Sequence, residues 1–218
     1  GKLNNKYEQL SRIYDHNVDV YLLDSGVLLN HQEFLDTHGN SRIISLDRND
    51  VDISNDHGTH LAGIITGNNY GVSQGLRIYS KNVCHFEDND DIYCSFSDVL
   101  HGLEIILSRL KRFNKRGVIN LSLSMEESAL LDSIIRDIDH NGGIIVNSAG
   151  NSYKDSCLTT PSNNKYTISV GSYNYNLHKP SESNYGSCVD IYGPGTNVFS
   201  ASMDIDNVNE DNLYDSKS

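Results

Sequence analysis

A histidine at the head of a run of small residues is the first place where this sequence could carry out chemistry. His57 is followed by Gly58-Thr59-His60-Leu61-Ala62-Gly63, which predicts the first turn of a tightly packed, buried helix running to about Thr66. An imidazole exchanges protons near neutral pH, so a rigidly held one is a candidate general base. A histidine in a helix is more often structural, and we interpret His60 in that way. The stretch gains meaning only from the residues before and after it.

Two polar segments follow predicted strands. Residues 18–23 are rich in β-forming types and are followed by Asp24, which places that carboxylate at the carboxyl end of a buried strand. A later predicted strand, 143–146, is followed by Asn147-Ser148-Ala149-Gly150-Asn151. In open parallel sheets, ligands and catalytic groups gather at the carboxyl ends of the strands. An Asp in a turn is by itself more often structural, so only the combination is informative.

Strands and helices alternate along the chain. The patterns also predict strands at 42–45, 77–83 and 118–123, and amphipathic helices from 95 to about 115 and from about 126 to 141. Ser95 and Asp98 form a capping-box-like start to the first of these helices. The alternation is typical of an α/β fold with a parallel sheet.

The composition indicates one acidic domain. The 29 acidic and 17 basic residues give a net charge of −12, which argues against a nucleic acid or an anionic membrane as partner. No run approaches the ~18 apolar residues that a membrane span requires. The 218 residues suffice for one sizeable α/β domain. Because the chain opens at Gly1 without an apolar leader, we interpret it as an interior piece of a longer product.

The four cysteines form an even set without the paired C-x-x-C spacing of zinc sites. Two disulfides are the favoured interpretation and indicate an oxidising compartment, with zinc binding as the alternative. A bridge between Cys84 and Cys94 across the acidic loop 87–91 is one arrangement that the sequence allows. We interpret that loop as a solvated tip rather than a calcium site.

Taken in order, these segments resemble the subtilisin-like serine proteases (subtilases, peptidase S8), closest to the proteinase K and cerevisin branch. The resemblance covers about residues 10 to 201. It implies a three-layer α/β fold with a central, mostly parallel sheet and helices on both faces. The matching motifs are Val20-Tyr21-Leu22-Leu23-Asp24-Ser25-Gly26-Val27, His57-Gly58-Thr59-His60-Leu61-Ala62-Gly63, Asn120-Leu121-Ser122-Leu123, Ser148-Ala149-Gly150-Asn151 and the run from Ser183 to Thr196.

The resemblance implies a role for three residues. Asp24 would orient the imidazole and stabilise its charged form, and His57 would act as the general base. Asn151 would donate a hydrogen bond in the oxyanion hole. A serine hydroxyl is a poor nucleophile until a base accepts its proton, and a third group must hold that base in the right tautomer.

The resemblance also implies a substrate channel in which a peptide adds itself as an extra strand. The family usually has Gly where Ser124 stands, so we expect a narrower or reshaped pocket for the main substrate side chain. The residues implied are the strand edge Ser122, Leu123 and Ser124, the pocket wall Ala149 and Gly150, and an opposite wall containing Tyr93 and Ser95.

Two structural features are implied in the same way. The resemblance pairs Cys157 with Cys188, as in some extracellular members, with Cys84–Cys94 as the second bridge. It also implies a structural calcium site made by Asp190 and the backbone carbonyls of Lys165 and Thr167, whose hard oxygen atoms suit that ion. No cofactor is required for the reaction.

The family's nucleophile is the feature that we expect to be missing. It lies in a Gly-Thr-Ser-Met-Ala stretch that opens an apolar helix beyond the Gly-Pro-Gly-Thr turn, which is here 193–196. Ser202 lacks the preceding Gly-Thr, and we interpret it as a loop residue. The predicted organisation is therefore a lead-in at 1–17, an incomplete catalytic domain at 18–201, and a polar loop at 202–218 leading to the missing helix.

The leading hypothesis is a serine endopeptidase of the extracellular space, the vacuole or the secretory lumen, present without its nucleophile, so that the 218-residue chain itself is inactive. Its partners would be a protein or peptide substrate and, as the resemblance allows, an inhibitory pro-domain. The alternative is a pseudoprotease that binds peptides or a partner without cutting them. A metal-binding protein using His57, His60 and the acidic loop explains fewer residues.

Overall fold

The computed structural model describes residues 18–47, 56–86, 92–203 and the strand at 214–217. Three α-helices lie among these residues: α1 (His57–Thr66), α2 (Phe96–Phe113) and α3 (Ala129–His140). The strands are β1 (Val18–Asp24), β2 (Ile43–Ser45), β3 (Ile78–Asn82), β4 (Cys84–Phe86), β5 (Ile92–Cys94), β6 (Arg116–Leu121), β7 (Gly143–Ser148), β8 (Thr167–Tyr173), β9 (Ile191–Pro194), β10 (Val198–Ala201) and β11 (Tyr214–Lys217).

Seven strands form one sheet in the order β2-β3-β1-β6-β7-β8-β9, and every pairing in it is parallel. This confirms the predicted α/β class. β1 lies between β3 and β6. Strands β2 and β3 are added on one side of β1, and the order then reverses, so that β6 to β9 are added on the other side. Such a reversal leaves a crevice at the carboxyl ends of the strands. Asp24 ends β1 at this edge, and the segments that follow β6 and β7 lie beside it.

Both faces of the sheet carry packed layers, as the resemblance implied. Alternate residues of β1 point to opposite faces: Tyr21 and Leu23 belong to one core, and Val20 and Leu22 to the other. The first core is completed by apolar side chains of α2 and α3, and the second by α1 and β10. Their buried members include Val99, Leu103, Ile106, Ile135 and Ile138 on the first face, and Ala62, Ile78 and Ala201 on the second.

Small residues in α1 let β10 pack closely against it. A Cβ atom at Gly63 would lie 2.9 Å from the Cβ of Ala201, closer than such atoms approach. The hydroxyl of Ser200 donates to the carbonyl oxygen of His60 in the same interface (2.8 Å). This confirms the tight packing predicted for α1.

Part of the sheet face beside α1 remains open. Ile145 is buried in the core under α2 and α3, so Ile144 and Val146 point to the opposite face. Ile168 is the register partner of Val146 and shares that face. Ile144 is 49% exposed and Ile168 40% exposed. Among the described residues, nothing packs over this apolar strip as α1 packs over β1.

Several elements differ from the sequence-based prediction. β8 and β9 were not predicted, although the alternation of apolar and small polar residues in β8 is itself typical of a strand. β6 ends before Ser122 and Leu123, and α3 begins at Ala129 rather than near 126. The segment predicted as a polar loop, 202–218, contains β11, which pairs antiparallel with β10. The lead-in 1–17 and the acidic loop 87–91 lie outside the described residues. Within the described part of the chain, no helix is long and apolar enough to cross a membrane.

Candidate active site

Asp24 and His57 form a hydrogen-bonded pair at the carboxyl edge of the sheet. Nδ1 of His57 lies 2.7 Å from Oδ1 of Asp24, although the two residues are 33 positions apart. Asp24 is 2% exposed and the His57 side chain 49% exposed, so a buried carboxylate orients an accessible ring. A carboxylate accepts the Nδ1–H, which leaves Nε2 as the basic nitrogen of the neutral ring. This is the tautomer that a general base requires.

The start of α1 holds this ring in place. The backbone N–H of Gly58 donates to Oγ of Ser25 (3.0 Å), and that of Ser25 donates to Oδ1 of Asp24 (2.8 Å). A side chain at Gly58 would overlap the carbonyl oxygen of Gly26, so this position tolerates only glycine. The turn after β1 and the first turn of α1 therefore form one rigid unit. No local sequence pattern indicates this role of Ser25.

Asn151 lies on a sharp turn after β7. Gly150 has φ +101°, a conformation that side chains disfavour, and its N–H donates to Oγ of Ser148 (3.0 Å). The Ala149 N–H donates to the carbonyl oxygen of Val170 on β8 (2.9 Å), which ties the turn to the sheet. The chain then leaves the sheet at Asn151, whose side chain is exposed.

One cavity of about 400 Å³ brings these elements together. His57 and Asn151 both line it, although 94 residues separate them along the chain. Its floor is the sheet face at Val146 and Val170, next to the open strip, and its side is formed by α1. The cavity is also lined by Ser122, Ser148, Gly150, Val170, Ser172 and Ser183.

The residues expected to bind substrate are only partly assembled at this cavity. Ser122 and Gly150 line it. Ser124 lies against the same turn, because a Cβ built on Gly150 would be 3.4 Å from its Oγ. Ala149 is fully buried beneath the turn.

Three other predicted substrate residues make contacts outside the cavity lining. The Leu123 side chain packs against the core of α2 and α3. Tyr93 lies on β5 with its ring against His85, and Ser95 caps α2 by accepting from the Asp98 N–H (3.4 Å). These three are not among the residues that line the cavity.

All four cysteines form disulfides, Cys84–Cys94 and Cys157–Cys188, which excludes zinc binding by these thiols. The first bridge joins the paired strands β4 and β5. The second joins the segment after the Asn151 turn to the segment before β9.

The metal-binding hypothesis finds no support in the described residues. There, no three His, Cys, Asp or Glu side chains form a metal-binding group. His60 is buried, and its Nε2 donates to the carbonyl oxygen of Val198 (2.9 Å), in agreement with a structural role. The acidic loop lies outside the described part of the chain.

Comparisons with known proteins agree with this geometry. The sequence profile of the Subtilase family matches residues 15–217. The chain belongs to the subtilase family. A subtilase-type proteinase of the sexual differentiation process from Schizosaccharomyces pombe is 34% identical over 203 residues, which cover 89% of this chain and 42% of the relative. An extracellular serine proteinase from Thermus sp. (strain Rt41A) is 33% identical over 184 residues, which cover 84% of this chain and 43% of the relative.

A solved structure shares the fold of this subtilase. The crystal structure of a cold adapted subtilisin-like serine proteinase matches it with a TM-score of 0.75 and 32% identity, covering 92% of this chain and 68% of the other. The match confirms the subtilisin-like α/β architecture. The present chain spans less than half the length of the two curated relatives described above.

Proposed function

We propose that this subtilase chain supplies the acid, the base and the oxyanion donor of a serine endopeptidase. The observation that carries the proposal is the buried Asp24 carboxylate 2.7 Å from Nδ1 of His57, with Asn151 on the rim of the same cavity. Membership of the subtilase family supports the same chemistry. His57 would take a proton from a serine nucleophile at Nε2 and return it to the leaving amine, while Asp24 stabilises the charged ring. Asn151 would stabilise the oxyanion.

We propose that the nucleophile enters this cavity from a segment outside residues 1–218. Three of the four serines that line the cavity take part in other hydrogen bonds, whereas Oγ of Ser172 on β8 is buried without a partner in the described part of the chain. Oγ of Ser122 accepts from the Asn120 side chain, and Oγ of Ser148 accepts from the Gly150 N–H. Ser183 donates to the carbonyl oxygen of Asn184. The open strip beside Ile144 and Ile168 is apolar, as a surface that receives an apolar helix would be.

A serine-directed fluorophosphonate tests this assignment. The natural full-length protein should be labelled at one serine outside residues 1–218, and His57→Ala should abolish labelling because the hydroxyl then lacks its base. The 218-residue chain alone should remain unlabelled. Labelling of a serine within these residues would contradict the proposal. A folded full-length protein that takes no label would instead favour the pseudoprotease.

The substrate is proposed to be a protein or peptide that binds in an extended conformation along Ser122, Leu123 and Ser124 as an added strand. Ser124 lies opposite Gly150, so its hydroxymethyl group occupies space at the expected side-chain pocket. Ala149 would form the inner wall of that pocket. Tyr93 and Ser95 would border the channel farther from the cavity. An inhibitory pro-domain would occupy the same channel.

Ser124→Gly is expected to widen this pocket. Two peptides are compared, one with a large aromatic residue before the cleaved bond and one with alanine there. The aromatic-to-alanine ratio of their kcat/KM values should rise about 10-fold or more, the usual effect of one or two carbon-sized groups in a pocket. The measurement is steady-state hydrolysis of paired peptide amides by the full-length protein. Ser73→Gly, in an exposed loop, is the matched control and should leave the ratio unchanged. An unchanged ratio in Ser124→Gly would remove Ser124 from the pocket.

A structural calcium ion at Asp190 remains a proposal. The Asp190 side chain is exposed, and its Oδ2 accepts the backbone N–H of Ser169 (2.8 Å), which leaves Oδ1 for a cation. The Asp190 N–H donates to the carbonyl oxygen of Ser169, and the Thr167 carbonyl points to the same edge of β8 because alternate strand residues share a side. With Lys165 in the preceding turn, these oxygen donors fit a hard cation. Calcium would join β8 to the segment before β9 and take no part in the reaction.

The proposed location is an oxidising compartment: the extracellular space, the vacuole or the secretory lumen. Both disulfides are formed, and such bonds persist where the surroundings are oxidising. The name of the Thermus relative describes an extracellular enzyme.

A further inference from the structure

A buried asparagine outside the proposed triad is bonded to both sides of the Asn151 turn. The Asn184 side chain is 1% exposed. Its Nδ2 donates to the carbonyl oxygen of Ala149 (2.8 Å), two residues before Asn151. Its Oδ1 accepts the backbone N–H groups of Ser152 (3.0 Å) and Lys154 (2.9 Å), which follow Asn151.

The backbone of Asn184 adds a fourth bond, because its N–H donates to the carbonyl oxygen of Gly150 (2.8 Å). A Cβ at Gly150 would overlap Nδ2 of Asn184, so the turn and the asparagine are in direct contact. Asn151 thus lies within the six-residue span 149–154, which is bonded to Asn184 on each side of it. The side-chain amide of Asn184 uses both an acceptor and a donor in this arrangement, which no apolar residue could replace.

Asn184 is itself firmly held. The N–H of Tyr185 donates to the carbonyl oxygen of Lys154 (3.0 Å), and the N–H of Ser156 donates to that of Tyr185 (2.7 Å). The disulfide Cys157–Cys188 joins the same two segments. The turn that carries Asn151 therefore rests on a support that is tied down at several points.

This arrangement matters because an oxyanion donor works only when it is fixed before the reaction begins. Gly150 has a positive φ and contributes no side chain to stabilise the turn. The exposed side chain of Asn151 cannot be positioned by core packing, so its placement depends on the backbone beneath it. The four bonds to Asn184 supply that constraint.

We propose that Asn184 is a positioning residue that holds the Asn151 turn, and through it the oxyanion donor, in the geometry needed for the reaction. The inference rests on the proposed peptidase function. Asn184 is buried beside the turn and is not among the residues that line the cavity, so it would not contact the substrate. It acts on the transition state through Asn151 alone, which separates its role from that of a residue needed only for folding.

A double-mutant cycle in the full-length protein tests the proposal. Asn184→Ala should lower kcat roughly 10- to 100-fold with KM within about threefold, since a displacement near 1 Å at a reacting group costs up to this much. In an Asn151→Ala background the same change should lower kcat less than about threefold, because the donor it positions is gone. A matched control is Asn174→Ala, which removes another asparagine whose Oδ1 accepts two backbone N–H groups, at a turn remote in sequence from Asn151. It should leave kcat unchanged.

A purely structural role would give a different result. Loss of folded protein would reduce kcat by the same factor in the wild-type and Asn151→Ala backgrounds, and such additive losses would overturn the proposal. A kcat of Asn184→Ala within twofold of wild type would also overturn it. If Asn184→Ala fails to fold, Asn184→Asp provides the test. It has the same shape and retains the acceptor bonds while losing the bond to Ala149. It should show the same dependence on Asn151, and equal losses in both backgrounds would again overturn the proposal.

Amide hydrogen exchange gives a readout that does not depend on activity. In Asn184→Ala the amides of Ser152 and Lys154 should exchange at least about 10-fold faster, while those of Asn176 and His178 stay protected. Asn174→Ala should give the reverse pattern, because Asn174 accepts from Asn176 and His178. Unchanged exchange at Ser152 and Lys154 would overturn the positioning role even if the protein proved not to be a peptidase. An inactive wild-type protein with the expected exchange pattern would instead count against the proposed function alone.

Discussion

Replacing Asp24 by Asn is expected to lower the kcat of the full-length protein about 10⁴-fold, the loss known for the equivalent change in Ser-His-Asp triads. The amide has nearly the same shape as the carboxylate, so it should occupy the same buried position. However, its NH₂ group can face Nδ1 of His57 and stabilise the tautomer with the proton on Nε2. That tautomer cannot accept a proton from the nucleophile. KM should change little, because Asp24 is buried beneath the ring.

The measurement is steady-state hydrolysis of a chromogenic peptide amide at a fixed pH. A control is available within the same chain: His85 and Asp98 form another His–carboxylate pair, with Nε2 2.7 Å from Oδ2, but both side chains are substantially exposed. Asp98→Asn should leave kcat within twofold of wild type. A loss smaller than about 10-fold in Asp24→Asn would show that the Asp24–His57 pair does not support catalysis.

Replacing Asn151 by Ala is expected to lower kcat about 10²- to 10³-fold with little change in KM, a magnitude known for the loss of one oxyanion donor in this protein family. The effect falls on kcat because the oxyanion exists only at the transition state and the intermediate. The side chain is exposed at the rim of the cavity, so its truncation should leave the folded structure intact.

The check is kcat and KM for the same peptide amide, together with the thermal midpoint of unfolding. Asn176→Ala, a change at another exposed asparagine, should alter neither. If the loss in Asn151→Ala appeared mainly in KM, Asn151 would contribute to substrate binding instead. If kcat were unchanged, another group would have to stabilise the oxyanion.

The parts of the site that could be predicted share one property: each lies where local sequence specifies a strand end or a helix start. Asp24 follows a run of β-forming residues, and His57 opens a stretch whose glycines are required by close contacts at Gly26 and Ala201. Parallel strands place their carboxyl ends at one edge. In the order β3-β1-β6-β7, only β6 lies between the strand that ends at Asp24 and the strand that ends at Ser148. The four cysteines also formed the two disulfides that the resemblance implied.

Other features could not be predicted because their partners are distant in sequence. The alternation in β8 is typical of a strand, but the place of β8 in the sheet depends on β7 and β9, which pair with it on either side. Ser25 gave no local signal of its contact with Gly58, 33 residues further on. Sequence patterns also gave no sign that Tyr93, Leu123 and Ser95 would not line the cavity, since a family motif does not report how its neighbours pack.

The α/β class could be predicted from the alternation of strand and helix patterns, and the family from five short motifs. The resemblance to that family then named Asp24, His57 and Asn151 as candidate catalytic residues, because motifs of this kind are local stretches of sequence. How these residues meet, and that the sheet face stays open beside Ile144, became clear only from the folded chain. The same is true of the bonds between Asn184 and the Asn151 turn, which join segments more than 30 residues apart. The physical reason is that hydrogen bonds and packing between distant segments depend on how the whole sheet assembles. No short stretch of sequence encodes them.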